Sequence, residues 1–152
     1  IAGWRANHSY RRSRRVRDSR ALPSFLGQVC GTMLVNETTG QVLARQVRLC
    51  DTFWRRLRGL MFRRTLDRNE VYLFRWGRQS KAEATIHSLF CFFPFAVLWL
   101  DAEGMLVDCR LVRPFALVVA PKRAASSFVE GVPELLDCVR VGDQIVLQDG
   151  QD

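Results

Sequence analysis

Short apolar runs separated by turn residues follow one another from about residue 33 to residue 148, a pattern typical of many short β-strands. The longest run, residues 89–100, contains Pro94. Because proline cannot donate to a β-ladder, we expect a loop up to Pro94 and a strand from Phe95 to Leu100. This strand is apolar on both faces, which favours the centre of a sheet. Residues 101–104 supply a hairpin turn, and residues 105–112 return as the partner strand.

The other segments are interpreted in the same way. Residues 33–44 predict a hairpin that turns at residues 36–40, and residues 46–49 predict a further short strand. We predict more strands over residues 71–76, 117–120, 124–130 and 144–148, and a loop over residues 77–82.

Two segments favour helices. Between Asp51 and Phe62, hydrophobic residues recur at a spacing of three to four while the arginines fall mostly on the other face. Residues 133–139 begin with proline, which the first turn of a helix accommodates. The combination predicts an α+β fold, with a small barrel-like, mostly antiparallel mixed sheet and two or three short helices.

Positive charge is concentrated at the start of the chain. The formal net charge is +8; residues 1–20 contribute seven Arg and one Asp, a balance of +6, and the remaining residues contribute +2. We therefore predict a disordered basic tail over residues 1–28 and a single domain over residues 29–150. We expect no nucleic-acid binding except through the Arg-rich tail. A membrane-surface arm and an organellar targeting peptide are the alternatives for this tail.

The five cysteines are scattered, without the short spacing of a zinc site or a redox pair. We interpret them as buried small hydrophobic residues of a reducing compartment. The longest apolar run is too short to span a bilayer as a helix, so no transmembrane segment is predicted. We expect a cytoplasmic protein, with a lost N-terminal signal left open because the chain begins with Ile1.

Four blocks of sequence stand in the order of one known family. The first is Asn36 with Gly40, leading to Leu43 and Ala44; the second spans residues 52–63 and includes Gly-Leu-Met-Phe-Arg; the third runs from Ile86-His-Ser through Phe93-Pro94 to residues 98–104; the fourth is Val-Gly-Asp at 141–143. Over residues 33–148 the chain resembles the bacterial and archaeal domain of unknown function 192 family. The resemblance implies a small barrel-like mixed sheet with flanking short helices, and it implies no assigned activity.

Two positions depart from the pattern of that family. The resemblance places an arginine two residues before Pro94 and an aspartate two residues after it, whereas this chain has Phe92 and Ala96. If these polar groups line a pocket in relatives, the chain has lost both.

The candidate ligand-binding residues are His87, Ser88, Arg56 and Asp101. His87 is the only histidine outside the tail, and histidine changes charge near neutral pH. We expect a non-enzymatic module that binds a small molecule or a protein partner near His87. The alternative is a small hydrolase-like enzyme that pairs His87 with a carboxylate. We predict no catalytic residue, no cofactor and no metal site, since one histidine supplies too few ligands.

Three other interpretations of this region stay open. His87 can simply satisfy backbone groups at the end of a sheet. Cys91 can be a nucleophile with His87 as its base, although burial among phenylalanines would raise its pKa and make the thiol inert. The aromatic residues can line an apolar ligand cleft or belong to the core; they are Phe90, Phe92, Phe93, Phe95 and Trp99.

Overall fold

The computed structural model describes residues 29–50, 60 and 63–150, which form two β-sheets. The strands are β1 (Val29–Cys30), β2 (Thr32–Asn36), β3 (Gln41–Ala44), β4 (Gln46–Leu49), β5 (Glu70–Ser80), β6 (Phe95–Leu100), β7 (Leu106–Val112), β8 (Ala125–Gly131) and β9 (Ile145–Asp149). A 3₁₀ helix spans Pro133–Cys138.

The larger sheet has six strands in the order β1-β4-β5-β8-β6-β7. Its only parallel pair among the described strands is β4 with β5, and β8 lies between β5 and β6. The second sheet has three strands in the order β3-β2-β9. The β2–β3 hairpin turns at Gly40, whose φ of 75° suits glycine.

Two apolar cores lie on opposite faces of the six-stranded sheet. Alternation along β6 separates them: Ala96, Leu98 and Leu100 belong to the first core, and Phe95, Val97 and Trp99 to the second. The first core also contains residues of the three-stranded sheet and of the 3₁₀ helix. The second core is covered by the segment from Ala84 to Cys91. Every residue of β6 is buried, as expected for a strand apolar on both faces.

The predicted fold class is wrong. The fold is mostly β, and the described strands form two open sheets without closing into a barrel. Closure fails because β2, β3 and β9 pair among themselves, so that β1 and β7 remain the two edges of the larger sheet. Among the described residues the helical structure amounts to one 3₁₀ helix of six residues, rather than two or three helices.

The individual strand predictions have mixed outcomes. The β2–β3 hairpin, β4 and the β6–β7 hairpin are confirmed, and β6 has the predicted bounds. The predicted loop at residues 77–82 is wrong up to Ser80, because β5 continues to that residue. The predicted strand at residues 117–120 is also wrong: only Val119 pairs there, in an isolated bridge with Ile86.

Two predictions fall on residues that the structure does not describe. The disordered tail, residues 1–28, lies outside the described residues, and so does most of the helix predicted from Asp51 to Phe62. Within the part of the chain that is described, no helix is long and apolar enough to cross a membrane.

Candidate functional site

Ser88 joins two loops at one end of the β6–β7 hairpin. Its hydroxyl donates a hydrogen bond to the carbonyl oxygen of Arg113 at 2.6 Å and accepts one from the backbone N–H of Ala116 at 2.7 Å. Its backbone N–H donates to the Ala116 carbonyl at 2.9 Å, and its carbonyl accepts from the N–H groups of Cys91 and Phe115, both at 3.0 Å. The side chain is fully buried, and every polar group of Ser88 has a partner. Ser88 is therefore engaged in holding the loops together.

Two phenylalanines in these loops have an uncommon backbone conformation. Phe90 and Phe115 have φ angles of 62° and 60°, a region that bulky residues rarely occupy. Each such backbone conformation costs about 1–3 kcal/mol of folding free energy and persists only where neighbouring contacts restrain it. The hydrogen bonds of Ser88 with Cys91 and Phe115 provide this restraint. The two loops consequently have a defined shape.

His87 lies on the outer side of the same segment. The neighbouring side chains of Ile86 and Ser88 are buried, whereas His87 is exposed, as alternation along an extended segment requires. Ile86 pairs with Val119 through N–H···O bonds of 2.9 and 2.8 Å. No hydrogen bond or ion pair joins the imidazole to another described residue. The His87 side chain is thus available to solvent beside the two loops.

The two loops next to His87 carry several exposed apolar side chains. We call the exposed side chains of Phe90, Phe92, Phe115, Leu117 and Val118 the loop surface. Phe92 and Phe115 contact each other edge to face with ring centroids 5.5 Å apart. Leu117 and Val118 are each 72% exposed and Phe92 is 61% exposed. The aromatic residues proposed for a cleft therefore lie in different environments. Phe90 and Phe92 are exposed on the loop surface, whereas Phe95 and Trp99 are core residues.

Asp101, another predicted site residue, is not brought to His87. The carboxylate of Asp101 accepts hydrogen bonds from the N–H groups of Glu103 at 3.0 Å and Met105 at 2.8 Å, and so caps its own turn. This turn and Ser88 lie at opposite ends of the β6–β7 hairpin, about 20 Å apart for six residues of strand. Arg56 lies outside the described residues.

The first and fourth sequence blocks meet in the structure. The amide nitrogen of Asn36 donates to a carboxylate oxygen of Asp143 at 2.7 Å and to the Cys138 carbonyl at 3.2 Å. The same Asp143 oxygen accepts from the N–H of Arg140 at 2.9 Å. Both side chains are buried. These hydrogen bonds attach the β2–β3 turn to the turn before β9.

Known proteins resemble this chain over most of its length. The model of the domain of unknown function 192 (DUF192) family, described as "Uncharacterized ACR", matches residues 34–147. The chain belongs to the DUF192 family. A UPF0127 protein of Thermococcus kodakarensis is 35% identical over 115 residues, which are 74% of this chain and 71% of the relative. A UPF0127 protein of Pyrococcus furiosus is 32% identical, over 74% of this chain and 95% of the relative.

Two solved structures share the fold. A protein of Sinorhizobium meliloti, provisionally described as a transcription regulator, superposes with a TM-score of 0.66 at 18% identity, covering 79% of this chain and 97% of the other. A protein of unknown function from Novosphingobium aromaticivorans gives a TM-score of 0.65 at 17% identity, covering 82% and 89%. At these identities the similarity concerns the fold alone. The DUF192 family has no specific assigned function.

The two departures from the DUF192 pattern lie in different environments. Phe92 is exposed on the loop surface, whereas Ala96 is fully buried in β6 between Leu111 of β7 and Gly131 of β8. A carboxylate at position 96 would have to enter the first core at considerable cost. In this chain the two positions do not form one polar pocket.

A buried cluster of titratable side chains lies on the second face of the six-stranded sheet, and the sequence pattern did not predict it. Glu130 of β8 is cross-strand to Tyr72 of β5, and both side chains are buried. Burial raises the pKa of Glu130 to about 8. Among the described residues none forms a hydrogen bond or an ion pair with its carboxyl group. The only sequence signal was an acidic residue within the apolar run from Phe128 to Val132.

Tyr72 and Cys91 complete this cluster. The buried Tyr72 hydroxyl has no hydrogen-bond partner in the described part of the chain. Burial raises the pKa of Tyr72, while Arg63, whose guanidinium lies 4.7 Å from the ring centroid, lowers it. Burial, with a smaller effect of Glu130, raises the pKa of the Cys91 thiol to about 11. The thiol is thus protonated at neutral pH, which argues against a Cys91 nucleophile.

The remaining polar features have local roles. Asp108 on β7 accepts hydrogen bonds from the Arg110 guanidinium at 2.9 Å and from the N–H of Lys122 at 2.8 Å, and so ties the 113–124 loop to the edge strand.

An open groove of about 380 Å³ lies between Leu66, Phe93 and Pro133. Within residues 29–50, 60 and 63–150, no group of His, Cys, Asp and Glu side chains is placed to hold a metal ion.

Proposed function

We propose that this DUF192 domain is a binding module that contacts its partner through the loop surface beside His87. The observation that carries the proposal is the exposure of large apolar side chains on loops whose shape is fixed. Contiguous exposed apolar side chains on a folded domain are typical of interaction sites. Leu117 and Val118 stand out most, at 72% exposure each.

The hydrogen bonds of Ser88 support the proposal. They connect both loops, and two of them, with the N–H groups of Cys91 and Phe115, restrain the segments that contain the costly backbone conformations. A conformation of this kind is often kept at a functional site, where it presents side chains in one arrangement before binding. A surface that is already ordered loses less conformational entropy when a partner binds. In this proposal His87 lies at the edge of the contact surface and Ser88 positions the loops.

The anionic dye 1-anilinonaphthalene-8-sulfonate tests the proposal, because it combines an aromatic body with a negative charge. We expect the native protein to enhance its fluorescence and the double variant Leu117→Ser/Val118→Ser to bind it at least about fivefold more weakly, since two apolar contacts are lost. Val141→Ser is the matched control, because Val141 is also exposed, at 61%, but lies in the turn before β9.

Both variants should unfold at the same midpoint as the native protein, so that a change in dye fluorescence reports on the surface of the folded state. Equal dye binding by the native protein and the double variant would contradict the proposal. So would a loss of dye binding in Val141→Ser as large as in the double variant.

A further inference from the structure

The loop surface lies in a part of the chain that has positive charge and no acidic side chain. Residues 84–99 and 110–124 contain four Arg or Lys and one His, and neither Asp nor Glu. Arg113, Lys122 and Arg123 are exposed on the same loop as Leu117 and Val118. Arg110 is held by Asp108. The exposed cationic side chains of Arg113, Lys122 and Arg123 therefore favour an anionic partner.

The exposure of the loop surface bears on whether its partner is a peptide, a helix or a lipid bilayer. Phe115 is 53% exposed, Phe92 is 61% exposed, and Leu117 and Val118 are each 72% exposed, so these side chains present most of their surface to solvent. A helix commonly binds by filling a groove, and an extended peptide commonly binds by adding to a sheet edge. Exposed apolar side chains on the same loop as cationic ones match the boundary between lipid head groups and acyl chains.

We infer that the loop surface docks on a lipid bilayer that contains anionic lipids, with Leu117, Val118 and the neighbouring phenylalanines entering the head-group boundary while Arg113, Lys122 and Arg123 meet lipid phosphates. This inference rests on the proposed function and specifies its partner. The fixed loop shape suits the role, because the apolar side chains are already displayed before the bilayer is met.

Vesicle co-sedimentation of the full chain tests the inference. The probes are phosphatidylcholine vesicles and mixed vesicles of phosphatidylcholine with phosphatidylglycerol. We expect preferential binding to the mixed vesicles, weakened by added salt. Leu117→Ser/Val118→Ser should lower the partition coefficient at least about tenfold, and Arg113→Gln/Arg123→Gln should lower it by a similar factor. Val141→Ser should bind like the unmodified protein.

The Arg-rich residues 1–20 can attract anionic vesicles by themselves, and they are present in every variant. If Leu117→Ser/Val118→Ser binds the mixed vesicles as well as the unmodified protein does, the tail alone is responsible and the inference is overturned. It is also overturned if neither vesicle is bound while the anionic dye still binds the loop surface; the proposed function then stands. Binding of polyglutamate in place of vesicles, with the same sensitivity to both double variants, would assign the surface to an acidic protein and overturn the lipid partner.

Discussion

Replacing Glu130 by glutamine should remove a pH-dependent loss of stability. Glu130 is buried, and the pKa of its carboxyl group is raised from 4.5 to about 8 by burial. A carboxyl group with a raised pKa in the folded state keeps its proton there after the unfolded chain has lost it. The stabilising contribution of this proton is complete below about pH 4.5 and is lost as the pH rises through 8.

The size of the effect follows from the shift of the pKa. A difference of about 3.5 pH units at 1.36 kcal/mol per unit corresponds to at most about 5 kcal/mol, with a slope that approaches 1.4 kcal/mol per pH unit between pH 5 and 8. The titratable neighbours do not interfere, because the pKa of Cys91 is about 11 and that of Tyr72 is raised above 10.0. Glu130→Gln preserves the shape of the side chain and cannot ionise.

Urea unfolding of both proteins from pH 5 to pH 8.5 measures this contribution. We expect the free energy of unfolding of the native protein, relative to that of Glu130→Gln, to fall by several kcal/mol across this range. Glu103→Gln is the control, because Glu103 is exposed in the β6–β7 turn, and its difference from the native protein should be nearly constant. A constant difference for Glu130→Gln, or one that rises with pH, would refute the assignment of Glu130 as an acid whose pKa is raised by burial.

Two further substitutions test the contacts that hold the site and the family blocks together. Ser88→Ala should lower the free energy of unfolding by about 1–3 kcal/mol, because the Arg113 carbonyl and the Ala116 N–H lose a buried partner. Urea unfolding measures this loss. A loss below a few tenths of a kcal/mol would contradict the role of Ser88 in holding the two loops together. Asn36→Ala should cost a similar amount, about 1–3 kcal/mol, because it leaves the buried Asp143 carboxylate without its 2.7 Å donor. Thermal unfolding that is unchanged in Asn36→Ala would show that this contact contributes nothing.

The strands of the centre of the sheet could be predicted because their environment leaves a local signal. Pro94 marks the start of β6, and the run to Leu100 is apolar on both faces because each face meets its own core. Gly40 and Gly104 mark hairpin turns, and both have positive φ. These signals act within a few residues and need no knowledge of distant partners.

The mistakes came from contacts between residues distant in sequence. Whether a sheet closes depends on which strands pair, and the pairing of β2 with β9 joins segments more than a hundred residues apart. Residues 117–120 are apolar but largely exposed, so that hydrophobicity there indicated a strand where the structure has a surface loop. The buried state of Glu130 likewise results from the strands on both sides of β8, and the sequence around it cannot show this.

The sequence blocks shared with the DUF192 family account for the fold better than for any chemistry. Asn36 and Asp143 join two turns, and Ser88 satisfies the backbone of two loops. At Gly104 a Cβ atom would lie 2.7 Å from the Ile145 carbonyl oxygen, so only glycine fits beside β9. Residues that pair buried polar groups, or that allow two backbone segments to pack closely, maintain the scaffold whatever it binds. Under the proposed function, the features that distinguish partners lie on the loop surface, where Phe92 is exposed.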